Sequence, residues 1–280
     1  MIVVTGATGN VGRLLVESLT ESGHAVTAVS RGLTSPPPSR PGVTPMVADL
    51  ADAGSLVPAL KGAEALFLLV SGAGAHVDGE AVLRAVADAG VSRVVLQSSQ
   101  AVGTRPEAGS HGPLAALEET VRSSGLEWTV LRPGGFTTNT FAWIPSIRVQ
   151  RKVFSPFGDV ALPAVDPLDI AEVAAAALTG SGHLGQTYVL TGPEATSPRQ
   201  RAEILGAALG EPLEFVELSR EQARGQMLRQ MPEPVADGTL DIPGQPLPEE
   251  LRISPDVEKV LGRPATSFAS WASRSVDAFR

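Results

Sequence analysis

The chain has 280 residues, 43% hydrophobic and 19% charged, with a formal charge of −8 at pH 7; this is a globular balance, and the length suits one large domain or two unequal ones. The absence of cysteine excludes thiol catalysis, Cys-ligated zinc, iron–sulfur clusters and disulfides, and the acidic balance argues against duplex nucleic acid, whose phosphates need a concentrated basic face. Tyr188 is the sole tyrosine and lysine stands only at positions 61, 152 and 259, so no Tyr-x-x-x-Lys pair can form on a helix face.

Ile2–Thr5 reads as a short apolar strand, followed by a glycine turn and a helix from about Asn10 to Glu21 that Gly23 ends. Strands are expected over Ala25–Val29, Thr44–Ala48 and Ala65–Val70, the last a continuous apolar run of the kind covered on both faces. A helix over Val77–Ala89, a strand over Val94–Gln97, a helix over Leu114–Ser123 and a strand over Trp128–Leu131 continue the alternation. Strands alternating with helices predict an α/β fold, a Rossmann-type doubly wound parallel sheet.

After Pro133 the rhythm breaks. Helices are expected over Asp169–Leu178, Ser197–Leu209, Arg220–Met231, Pro255–Leu261 and Phe268–Ala278, and strands over Tyr188–Leu190 and Glu214–Leu218. Asp169 and Glu172 are spaced as a capping box. Pro232–Pro248 contains five prolines and is expected to lack regular structure; it reads equally as a lid and as an arm reaching a second copy in a homodimer. The expected organisation is a dinucleotide-binding domain over 1–155, with a helix at about 169–179 packing back on it, and a smaller, discontinuous, mixed α/β C-terminal lobe over 156–280 on the substrate side. The N-terminus lacks the basic start and apolar stretch of a signal peptide, and no apolar run approaches the ~20 residues that span lipid, so the expectation is a cytoplasmic protein without a membrane partner.

The strongest chemical signal is Gly6-Ala-Thr8-Gly9-Asn10-Val11-Gly12, between the first strand and the first helix. Glycines there permit a tight turn, close approach of backbone to a pyrophosphate, and close packing of helix on strand; the anion then sits on unpaired N–H groups at the positive helix end. The spacing is G-x-x-G-x-x-G, a variant of the dinucleotide pattern. The second strand ends Ala28-Val29-Ser30-Arg31-Gly32 without the acid that bonds a ribose 2′-hydroxyl in NAD sites. Arg31 can instead fork a 2′-phosphate, with Ser30 adding a hydroxyl and Arg40 nearby across the Ser35–Ser39 loop. NADP(H) is therefore expected in preference to NAD(H).

With these motifs the chain resembles the NmrA-like group of atypical short-chain dehydrogenase/reductases. The opening Val4-Thr5-Gly6-Ala7-Thr8-Gly9-Asn10-Val11-Gly12 carries the resemblance, joined by Ala48-Asp49-Leu50, Ala89–Ser99, Ser124–Phe136, Val165–Ala171 and Val257–Pro264. The resemblance implies NAD(P)H binding and a division between NADPH-dependent reductases of quinones, azo dyes and phenolics and non-catalytic sensors of NADP redox state. It also implies that Asp49 and Leu50 lie near the adenine, that Ser98 or Ser99 occupies the family's serine position, and that Pro133-Gly134-Gly135-Phe136 is the substrate-side turn. Where reductases of the group carry Lys or His four residues before the glutamate equivalent to Glu118, this chain has Leu114.

Candidate residues follow. Ser98 is taken as a catalytic and cofactor-side serine, and His111 as a general acid, with a solvated loop histidine as the alternative. Val70 and Ser71, leading into Gly72-Ala-Gly-Ala75, lie at the sheet edge where cofactor is expected, as does Pro133. His76, Gly135, Phe136, Phe141 and Trp143 are candidates for substrate contact, the aromatics equally for core. The expected function is hydride transfer from NADPH to a quinone-like or flat aromatic carbonyl acceptor, since hydroquinone oxygens need little help in gaining a proton. A redox sensor is the alternative from another class, and a dehydratase or epimerase on the same fold a third.

Overall fold

Each strand of the first half is followed by a connection long enough to cross back over the sheet, which allows the strands to pair in parallel. The computed structural model describes residues 1–32, 40–70, 76–106, 108 and 111–280. Strands β1 (Ile2–Val4), β2 (Val26–Ser30), β3 (Val43–Val47), β4 (Ala65–Leu69), β5 (Arg93–Gln97), β6 (Glu127–Pro133) and β8 (Gln186–Leu190) form one sheet in the order β3-β2-β1-β4-β5-β6-β8. Every neighbouring pair is parallel, which establishes the doubly wound α/β fold.

Alternation along the strands divides the core. Ile2, Val4, Phe67, Val95 and Leu131 meet α1 (Asn10–Glu21) and α7 (Pro167–Thr179) on one face. Val3, Leu66, Leu68, Val94 and Leu96 meet α2 (Ala53–Leu60), α3 (Gly79–Asp88) and α5 (Gly112–Ser123) on the other. Such two-sided burial explains why β4 is apolar throughout.

Past β6 the chain builds a smaller mixed lobe. β7 (Lys152–Ser155) and β9 (Glu214–Glu217) make a two-stranded parallel sheet. Its core joins Ile147 from α6 (Ile144–Gln150), Val153, Leu205 from α8 (Pro198–Leu209), Trp271 from α12 (Phe268–Ser275) and Phe279. Residues of β8, α7 and α11 (Asp256–Leu261) pack instead in the core of the large sheet, so the chain passes through the lobe more than once.

Several expectations are corrected. The proline-rich stretch 232–248 holds a helix, α10 (Glu233–Gly244). Pro234 occupies the first turn, where a missing N–H costs nothing, and Pro243 sits one residue from the end. Helix α7 begins earlier than the Asp169–Glu172 spacing suggests, because Pro167 pre-sets its first turn and Asp166 caps it, accepting from the Leu168 N–H at 3.0 Å. Asp169 is instead fully buried and holds Arg263 and the Thr266 N–H, at 2.8 and 2.7 Å. Helix α2 was masked in the sequence by Pro58. α4 (Gln100–Thr104), the 3-10 helix Thr137–Trp143, α6 and β7 are also additions. Helix α9 (Arg220–Met227) stops a turn short of Met231. No helix among the described residues is long and apolar enough to cross a membrane.

Candidate dinucleotide and substrate site

The strand order changes direction between β1 and β4, and the C-terminal ends of those strands open the crevice where ligands of such sheets sit. Thr5, buried, fastens the two ends together: its hydroxyl donates to the Phe67 carbonyl at 3.1 Å and accepts from the Leu69 N–H at 2.8 Å. Gly6 follows with φ +62°, a left-handed conformation that glycine adopts without strain. Gly9 caps α1 and offers no side chain to its N–H groups, leaving the first turn open to an external acceptor. A Cβ on Gly12 would lie 2.2 Å from the Gly6 carbonyl oxygen, so the close approach of helix and strand requires glycine there. Thr8, Gly9 and Asn10 are exposed on this turn, whereas the Val11 side chain is buried in the core and only its backbone is available. These features fit a dinucleotide pyrophosphate.

At the end of β2, Ser30 is buried and donates to the Gly32 carbonyl at 3.1 Å. Arg31 is exposed and forms no ion pair among the described residues. Arg40 does: Glu17 of α1 holds it at 2.5 Å, with Glu21 at 3.7 Å, so it is committed to the helix. Asp49 is exposed after β3, its carboxylate accepting from the Ala51 N–H at 3.0 Å, and Leu50 packs on the core of the helix α2 face. Val70 is half-buried against the same core. Ser71 lies outside the described residues, as do 72–75 and the 33–39 loop.

Ser98 does not face the crevice. Its buried hydroxyl donates to Glu118, which is itself fully buried. Arg132 grips the same carboxylate through two bonds of 2.9 and 2.7 Å, and Arg122 adds one at 2.8 Å. Burial would push the Glu118 carboxyl up, but the bonds from Arg132, Ser98 and Arg122 prevail and hold it below the usual carboxylate range. Leu114, one turn earlier, packs on the adjoining core. The neighbouring Ser99 is the serine that reaches the cleft, where it caps α4 by accepting from the Ala101 N–H at 3.2 Å.

The cleft itself encloses about 550 Å³ between the ends of β5 and β6 and the smaller lobe. Ser99, Gln100, Pro133, Gly134 and Gly135 form the sheet side; Asn139, Thr140 and Trp143 follow from the 3-10 helix. The far wall is Gln226, Met227, Gln230 and Met231 from α9 and its end, with Leu240 and Pro243 from α10. Arg201 of α8 is also a wall residue. Glu250 borders the cleft but is committed: Arg105 reaches both its oxygens, at 2.7 and 2.8 Å, with Thr104 and the Leu247 N–H adding bonds. That clamp ties the end of the proline-rich segment to α4, so the segment is part of the cleft wall.

Of the substrate candidates, Gly135 and Trp143 line this cleft. Phe136 packs on the core beneath α7, and Phe141 sits 5.4 Å from the Trp271 ring inside the lobe core. His76 is exposed and outside the cleft lining. His111 caps α5, half-buried, and is not in the lining either; burial and then the Arg105 guanidinium push its pKa down. Tyr188 is bonded to His183 at 2.9 Å, apart from the cleft. Sequence reasoning missed the α9–α10 wall and Arg201. The Gln226/Gln230 and Met227/Met231 repeats at helical spacing were the available signal for the first; Arg201, in the polar run Pro198-Arg-Gln-Arg201, gave none.

Comparison with known proteins agrees with this architecture. The family model for NAD(P)H-binding matches residues 6–180. A (4-alkanoyl-5-oxo-2,5-dihydrofuran-3-yl)methyl phosphate reductase from Streptomyces griseus subsp. griseus is 38% identical, covering 100% of this chain and 99% of that protein. An NAD(P)H azoreductase from Xenophilus azovorans is 33% identical over 100% and 99%. The structure of NADPH-dependent quinone oxidoreductase QOR2 from Escherichia coli, complexed with NADPH, superimposes with a TM-score of 0.80 at 26% identity, covering 98% of this chain and 99% of that one. The chain belongs to the NAD(P)H-binding family, and the relatives it matches over its full length are reductases.

Proposed function

We propose that the chain is an NADPH-dependent reductase of a quinone-like or flat aromatic carbonyl acceptor bound between the sheet edge and the smaller lobe. The observation that carries this is the lining of the cleft: apart from Arg201 and the Glu250 that Arg105 holds, it consists of neutral amides and hydroxyls, apolar side chains and Trp143, with no described group that titrates near neutral pH. When bound, the nicotinamide supplies a hydride. The Gly6–Gly12 turn and the start of α1 hold the pyrophosphate, Asp49 and Leu50 flank the adenine side, and Val70 and Pro133 border the ring end. Ser99, Gln100 and Asn139 orient acceptor oxygens by hydrogen bonds, and Trp143 offers a flat apolar surface. The oxygen anion left by hydride addition takes its proton from water, which suffices for a quinone. Full-length similarity to two reductases supports turnover over a sensing role.

Two outcomes are expected. The rate of NADPH oxidation by a quinone stays flat between about pH 6 and 8.5, and His111→Ala leaves that profile unchanged, since no proton donor in the lining titrates there. A break in the ordinary histidine range that disappears in His111→Ala would restore His111 as the acid. For the cofactor, Arg31→Ala is expected to weaken NADPH binding about ten- to a hundredfold while NADH binding changes little, as befits loss of a charge-assisted bond to a 2′-phosphate. Equal losses for the two cofactors would show that Arg31 does not read that phosphate.

A further inference from the structure

We propose that Arg201 forms an anion subsite in the cleft, so that the acceptor reduced there carries a phosphate or carboxylate group. The inference rests on the reductase reading and adds a substrate class to it.

Arg201 is set apart by its surroundings. Among the described residues the other arginines without a carboxylate partner are Arg13, Arg31, Arg148, Arg229 and Arg252, all exposed to solvent. Arg201 is not exposed, yet it has no acid either. Its Nε donates to the Thr196 hydroxyl at 2.9 Å and its Nη2 to the Leu162 carbonyl at 2.8 Å, while its guanidinium lies 5.6 Å from the centre of the Phe268 ring. These neutral partners fix the side chain without cancelling its charge, and Nη1 keeps no protein acceptor among the described residues. Burial alone pushes its pKa down to about 10, the mark of a cation removed from water with nothing opposite it.

The rest of the cleft supplies no free opposing charge. The one carboxylate in its described lining, Glu250, is neutralised by Arg105 through both oxygens. Gln226 of α9 and Gln230, just beyond its end, line the cleft and can donate to oxyanion oxygens. A planar guanidinium held on two sides with one nitrogen unpaired is suited to an oxyanion. A neutral quinone would leave this cation uncompensated; an acceptor with an anionic group would complete it.

The test measures binding and needs no turnover. With NADP⁺ saturating, so that the Gly6–Gly12 turn is filled, phenyl phosphate, benzoate, inorganic phosphate and benzyl alcohol are titrated into the full chain by calorimetry. Phenyl phosphate or benzoate is expected to bind at least about tenfold more tightly than benzyl alcohol, and Arg201→Gln to erase most of that preference. The order of phenyl phosphate and benzoate identifies the anion, and binding of inorganic phosphate shows whether the charge suffices without the ring. Equal binding of anions and alcohol by the native chain, or an unchanged preference in Arg201→Gln, would overturn the subsite. Should Arg201→Gln not fold, Arg201→Lys serves: it keeps the charge but not the fork, and is expected to retain the preference with several-fold weaker anion binding, whereas unaltered binding would count against Arg201. Anion binding without NADPH oxidation would leave the subsite standing and remove the reductase.

Discussion

Glu118→Ala is expected to destabilise the fold by about 3–5 kcal/mol, the cost of leaving buried charges without their partner. The carboxylate is fully buried and accepts from Ser98, Arg122 and Arg132, which lie on β5's end, α5 and β6. Truncation strands the Arg132 guanidinium behind the sheet, where it also packs over Gly103: a Cβ at Gly103 would lie 2.5 Å from its nitrogen. For a chain of this size the melting temperature should fall by about 5–9 °C. Because the folded-state pKa of Glu118 is lowered, its contribution is complete above the ordinary glutamate range and is lost as pH falls through that range and below it. Urea denaturation at pH 7 and pH 4 tests both points: the native–variant difference should narrow at the lower pH. A variant melting within ~2 °C of the native chain would show that the cluster contributes little.

Gly12→Val should remove cofactor binding while leaving most of the fold intact. A Cβ at Gly12 would sit 2.2 Å from the Gly6 carbonyl oxygen and 2.9 Å from the Ala7 Cα, and neither is a flexible side-chain end. Helix α1 must then move away from β1, displacing the N–H groups at its start from the turn they serve. Cofactor affinity is expected to drop at least about a hundredfold, roughly 2.7 kcal/mol, beside an overpacking cost of about 1–3 kcal/mol in stability. Gly9→Ala is the graded comparison. Its Cβ would stand 3.3 Å from the same oxygen, a tight contact that a small shift relieves, so its loss of affinity should be several-fold at most. Titration with NADP⁺ followed by tryptophan fluorescence distinguishes the two. Equal affinity of Gly12→Val and the native chain would show that the turn does not carry the pyrophosphate.

The first half of the fold was legible because its signals are local. A strand, a glycine turn and a helix within 21 residues leave few alternatives, and the run Ala65–Val70 announces a strand covered on both faces. What escaped depends on residues distant in the chain. Ser98 and Ser99 are indistinguishable in sequence, yet one turns towards a buried carboxylate 20 residues on and the other towards the cleft. Phe141 and Trp143 are two residues apart in one 3-10 helix and both pack on the lobe core, yet only Trp143 also reaches the cleft. The proline-rich stretch was misread since proline breaks a helix only in its interior, and Pro234 and Pro243 stand near the ends. Arg201 had no sequence signature, as its isolation from acids exists only after folding.

Steady-state oxidation of NADPH against a panel of quinones and flat aromatic ketones, with NADH as control, decides whether the chain turns over. Oxidation is expected to be coupled one-to-one to acceptor reduction and faster at limiting cofactor with NADPH than with NADH. Tight NADP⁺ binding with no oxidation by any acceptor, charged or neutral, would contradict turnover and leave a nucleotide-binding protein without the reaction.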